Sequence, residues 1–174
     1  MRVLLLVLCL ACAACGVAHQ PESIQYAAAF EVPLPTRADK QDFTALLQRE
    51  AEAHGFHVDV TAERDLRTLS SVSAVTYMAG VWRGENDEEN VASAMDFETH
   101  LGRVWLTFST GTDPERYARF RSELMPKIRS RWPDTASLPI MPTGAIPLDS
   151  DLVMTPAGYE VKASEAHKYQ AAES

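Results

Sequence analysis

The chain has 174 residues, 24 acidic against 16 basic, and a formal net charge of −8 at pH 7. That balance argues against nucleic acid and anionic lipid surfaces as partners, since both reward a broad basic face. All three cysteines, Cys9, Cys12 and Cys15, fall near the start, so the remainder has no thiol nucleophile, thiolate metal site or disulfide and must be held by its core.

Arg2 supplies a positive charge, and Val3 to Ala14 is an unbroken run of apolar or small residues. This is the length of a signal-peptide apolar region and too short to span a bilayer comfortably. No other stretch has the ~18 consecutive apolar residues of a transmembrane helix. The context Ala11-Cys12-Ala13-Ala14-Cys15-Gly16 resembles the lipobox of bacterial lipoprotein precursors, a resemblance confined to the start of the chain. It implies that Cys15 receives a diacylglycerol and becomes the mature N-terminus, holding the protein on the periplasmic side of a membrane. The third residue before Cys15 is Cys12, where the family usually has Leu, and Cys12 is itself a second candidate after Leu10-Ala11. Ordinary secretory cleavage after Ala11-Cys12-Ala13 is the competing reading. Gly16, in place of Asp, implies the outer membrane by the rule of enteric lipoproteins. The expected organisation is a signal peptide over 1–14, a lipidated N-terminus and tether over 15–23, one domain over 24–161 and a flexible tail over 162–174.

Beyond the tether, Ile24, Tyr26, Ala28, Phe30, Val32 and Leu34 occupy every even position, the period of a strand with one buried face, and Gln25 and Glu31 fall on its polar face. Thr36 with Asp39 approximates a capping box, and Phe43, Leu46, Leu47 and Ala51 form the apolar stripe of a helix. Lys40, Gln41, Gln48 and Arg49 are expected to face water, and Gly55 to close the helix. Phe56, Val58, Val60 and Ala62 predict a second strand, and 61–71 a loop with a helical turn. Ser73 to Trp82 reads as a strand covered on both faces. After an acidic turn, Val91 to Phe97 returns as a hairpin with Val91, Met95 and Phe97 on one side. Val104, Leu106 and Phe108 mark the next strand. Asp113, Pro114 and Glu115 open a second helix with Tyr117, Phe120, Leu124 and Ile128 on its stripe. Pro126 is expected to kink or end that helix near Leu124. Further on, short strands are expected at Leu138 to Met141 and Tyr159 to Val161. Together these elements predict an α+β fold, a mostly antiparallel sheet with two helices on one face, ferredoxin-like or a related two-layer sandwich.

Catalytic signatures are sparse. His54 and His57 flank a helix-breaking Gly55, so they diverge and no metal site is expected. No G-x-S-x-G or Gly-rich phosphate loop occurs, and no cofactor or nucleotide is expected. Ser109 with His100 is the best-placed nucleophile and base, and Asp96 and Asp59 are the carboxylates outside turns and exposed helix faces. The most distinctive feature is the run Glu85-Asn86-Asp87-Glu88-Glu89-Asn90, with Trp82 and Arg83 at its base. It reads either as a solvated hairpin tip or as a negative prong for a basic groove in a partner. Trp and Arg are common hot-spot residues. In architecture the domain resembles periplasmic immunity and inhibitor lipoproteins. That likeness implies a non-enzymatic protein-binding module against an envelope-targeting toxin, with the cationic toxin as partner. An envelope hydrolase and a structural or assembly lipoprotein are the alternatives.

Overall fold

A computed structural model describes residues 25–61, 75–84, 87–142 and 144–170. Several expectations lie outside the described residues: the signal and tether with Cys12 and Cys15, the strand start at Ile24, Ala62 and the turn within 62–71. So do Ser73, Ala74, Glu85, Asn86 and the last four residues of the tail.

The elements are β1 (Tyr26–Pro33), α1 (Arg37–Ala53), β2 (His57–Val60), β3 (Val75–Arg83), β4 (Glu89–Phe97), β5 (Arg103–Ser109), α2 (Pro114–Arg131) and β6 (Ala136–Leu138), then a hairpin of β7 (Leu152–Thr155) and β8 (Gly158–Val161). The main sheet runs β2-β3-β4-β5-β1-β6, with every pairing antiparallel. The fold is therefore α+β. A ferredoxin-like chain places two strands between its helices; here β2 to β5 form a four-stranded meander there, giving the related two-layer sandwich.

Local chemistry sets the helix ends. Thr36 Oγ1 accepts from Asp39 N at 3.1 Å and Thr36 N donates to the Asp39 carboxylate at 3.1 Å, so Asp completes the capping box in place of Glu. Gly55, at φ +68°, follows the His54 cap. At ~1.5 Å per residue α1 is about 25 Å long. That suffices to cross the four gaps of ~4.8 Å between β1 and β2 at the far edge. Its Phe43, Leu47 and Ala51 meet Phe120, Leu124 and Ile128 of α2 over Val81, Val104, Leu106 and Phe108. One core cluster holds both helices, so they share one face of the sheet.

The second face differs from expectation. On β1 two of the odd residues are not solvated: Ala29 and Glu31 are buried beneath the C-terminal segment, while Ala27 is exposed. There Leu138 and Leu152 pack with Trp105, Ile140, Ile146 and Tyr159. The sequence 162–170, expected to be flexible, is tied back. Lys162 N donates to Asp151 O at 2.8 Å, and the Tyr169 hydroxyl donates to Asp151 Oδ2 at 2.7 Å.

Two further corrections have local causes. Val81 opposes Ala92 while Trp82 opposes Asn90, so Val91 is the extra residue of a bulge. Val91 and Ala92 both enter the core, whereas Met95 and Phe97 do not join it; Asp96, opposite Tyr77, takes the helix-facing position. Pro126 does not end α2, which continues to Arg131. Pro126 and Ser122, whose carbonyl loses its N–H partner, are both exposed, and buried Leu124, Met125 and Ile128 hold the helix on its other side.

Candidate functional site

The β3–β4 hairpin carries the acidic run, and the structure divides its residues by what each one touches. Arg83 places its guanidinium 2.9 Å from both Glu89 Oε2 and Thr112 Oγ1. Glu89 in turn accepts from Thr112 N at 2.5 Å and Thr112 Oγ1 at 2.7 Å. Burial pushes the Glu89 carboxyl up, but the nearby Tyr117 hydroxyl, the Thr112 donors and the Arg83 charge outweigh it, leaving its pKa below the ordinary 4.5. Tyr117 Oη is buried and has no hydrogen-bond partner among the described residues. Burial and the adjacent Glu89 carboxylate hold its phenol protonated, with a pKa well above 10.

Asp87 adopts φ +53°, a left-handed conformation that Asp tolerates, and its carboxylate accepts from His57 Nε2 on β2. The tip is thus braced from two sides, by β2 and by the loop before α2. Glu88 is exposed and in no ion pair among the described residues. Trp82 is half-buried on the second face of the sheet, its ring lying over Gly80, where a Cβ would come 2.9 Å from Trp82 Cε2. Arg83, Asp87 and Glu89 therefore build the described part of the tip, and Glu88 is its exposed carboxylate without an ion pair among the described residues, lying over Gly84, where a Cβ would come 2.6 Å from Glu88 Oε2. Glu85 lies outside the described residues.

The residues considered for catalysis do not converge. His100 precedes β5 and Ser109 ends it, which separates them by about 20 Å of extended strand. Ser109 donates to Asn90 O at 2.5 Å; His100 Nδ1 donates to Arg103 O at 2.9 Å and its ring stacks on Trp105 at 5.0 Å. Asp59 is exposed on β2. His54 and His57 diverge as expected, His54 towards Glu123 on α2 and His57 towards Asp87. Among the described residues no three His, Cys, Asp or Glu side chains group as metal ligands.

Two buried charge clusters escaped sequence reasoning. Asp96, 0% exposed, accepts from Lys40 Nζ at 2.5 Å, Thr76 Oγ1 at 3.0 Å and Gly102 N at 3.1 Å. Lys40, expected to face water, thus reaches in from α1 to neutralise it. On the second face Glu31, 6% exposed, accepts from the Tyr159 hydroxyl at 2.7 Å and Trp105 Nε1 at 3.2 Å, with Arg103 at 3.3 Å. That cluster fastens the β7–β8 hairpin to the sheet. The only signal for either was a carboxylate inside a strand pattern, at positions 31 and 96. Compared with protein-family models, curated proteins and solved structures, the chain matches none.

Proposed function

We propose that the protein is a lipoprotein tethered through Cys15 to the periplasmic side of the outer membrane, where it acts as a non-enzymatic protein-binding module. Its partner is a cationic protein, an envelope-targeting toxin being the case its architecture resembles, and the β3–β4 tip is the contact. The observation that carries this reading is the bracing of the tip. His57 holds Asp87, and Arg83 and Thr112 hold Glu89, so the exposed Glu88 sits between two residues that are themselves held. A preorganised loop loses less conformational entropy on binding than a floppy one. A charged rim residue also steers association with an oppositely charged surface.

The bracing also narrows the contact. Arg83 neutralises Glu89 and His57 hydrogen-bonds Asp87, which leaves Glu88 as the carboxylate with no such partner among the described residues of the tip. The test is capture of the partner from envelope extract by the full lipidated chain, followed by affinity measurement with the purified partner. Reversing both charges (Glu85→Lys with Glu88→Lys) is expected to slow association and abolish capture. Unchanged affinity of the reversed protein eliminates the tip as the contact.

A further inference from the structure

A second feature lies at the other end of β3 from the acidic tip. Among the described residues an open cleft of about 590 Å³ runs between α1 and the edge of the sheet, walled by Arg37, Lys40, Gln41, Thr44 and Gln48 on the helix and floored by Tyr77. The other helical residues fall three, four, seven and eleven positions after Arg37 in a single stripe, so they face the same space. The volume lies within the ~300–1,000 Å³ of small-molecule sites.

The lining runs against the overall charge of the chain. The protein carries a net charge of −8, yet the cleft presents two cations and no carboxylate among its described lining residues. Arg37 and Lys40 both occupy the first turn of α1, where the helix dipole disfavours positive charge. Asp96 compensates Lys40 from behind; Arg37 makes no ion pair or side-chain hydrogen bond among the described residues. Lys40 donates one N–H to Asp96 and has two more. Arg37 has a planar fork suited to a carboxylate. Neighbouring helical positions three apart put the two Cβ atoms ~5–6 Å from each other, close enough to share one anion.

The floor is ordered as well. Thr44 Oγ1 donates to Lys40 O at 2.7 Å, so it accepts from the Tyr77 hydroxyl 2.8 Å away. That leaves Gln41 and Gln48, both exposed, as the groups able to donate to and accept from a ligand's hydroxyl or amide groups.

We infer that this cleft binds a small carboxylate that also carries hydroxyl or amide groups, its carboxylate held by Arg37 and Lys40 and its polar groups by Gln41 and Gln48. Both a sugar acid and a short acidic peptide have this chemistry. The cleft is independent of the acidic tip, and neither assignment depends on the other.

The test is isothermal titration calorimetry of the detergent-solubilised full chain with three probes. N-acetylmuramate and N-acetylglucosamine differ by one carboxylate-bearing ether, and alanylglutamate carries carboxylates on a peptide. Saturable binding of N-acetylmuramate without N-acetylglucosamine supports the sugar-acid form, and binding of alanylglutamate alone supports the peptide form. In either case Arg37→Gln is expected to weaken binding about tenfold, the worth of one charge-assisted hydrogen bond. Gln41→Glu is expected to weaken it similarly by placing a like charge in the cleft. Both positions are exposed, so both variants are expected to keep the wild-type melting temperature. The inference is overturned if no probe saturates, if the neutral sugar binds as tightly as the acid, or if both variants bind as wild type does.

Discussion

The Lys40–Asp96 pair gives the sharpest quantitative test of the fold. Asp96 has no exposed surface, while the Lys40 side chain is 20% exposed. Replacing Lys40 with Met leaves a buried carboxylate supported, among the described residues, by Thr76 and the Gly102 amide. Breaking a fully buried pair by removing one partner costs ~3–5 kcal/mol. Because the Lys40 side chain is partly exposed, the expected cost here is smaller, about 2–4 kcal/mol. Asp96→Asn keeps the volume and lets the amide oxygen still accept from Gly102, but it turns a neutral group towards the ammonium; about 1–3 kcal/mol is expected. The double variant removes both charges together, so its cost should fall below the sum of the single costs by about 1–3 kcal/mol. Urea unfolding at pH 7, followed by tryptophan fluorescence, measures all four corners of the cycle. Additivity within ~0.5 kcal/mol would mean that the two charges do not interact, and would refute the reasoning.

Three other outcomes follow from named contacts. Glu31→Ala leaves the Tyr159 hydroxyl and Trp105 Nε1 without their acceptor. It is expected to cost about 1–3 kcal/mol and to raise amide exchange in β7 and β8 before the rest of the sheet; unchanged exchange there contradicts the fastening role. At Gly102, φ is +79° and a Cβ would come 2.8 Å from Pro35 Cα. Gly102→Ala should therefore destabilise by more than the ~1 kcal/mol of left-handed strain alone, as read from the denaturation midpoint. In acid, burial raises the Glu50 carboxyl, but Lys127 and then Arg49 outweigh it, and Glu89 is likewise held below its ordinary 4.5. Both pKa values are lower folded than unfolded, so this stabilisation is complete above about pH 4.5 and lost as pH falls through the folded values. Glu50→Gln with Glu89→Gln should flatten that limb of a stability–pH curve, and an identical slope in the variant would count against it.

Much of the fold was legible because local and global signals agreed. The capping residues Thr36 and Asp113, the stripes on α1 and α2, and the alternation in β5 all matched the structure. What failed was the assumption that charge marks the solvated face. Glu31, Asp96 and Lys40 sit inside because distant groups neutralise them, and such pairing over 56 residues or more leaves no local trace. The bulge at Val91 reversed the face of Met95 and Phe97, since one inserted residue shifts a period-two pattern. Pro126 was misread because its effect depends on which side of the helix it occupies, and that is set by packing. The acidic run was visible as a feature, but its division into bracing residues and an exposed Glu88 required the positions of His57 and Thr112.

The claim that this domain works from a lipid tether is tested most directly by the intact mass of the protein recovered from the membrane fraction. The expected species lacks residues 1–14 and carries a diacylglycerol and an amine-linked acyl chain at Cys15, and the Cys15→Ser precursor loses both the lipid and the membrane association. A water-soluble, unacylated chain cut after Ala13 would contradict the tether and with it the proposed place of action.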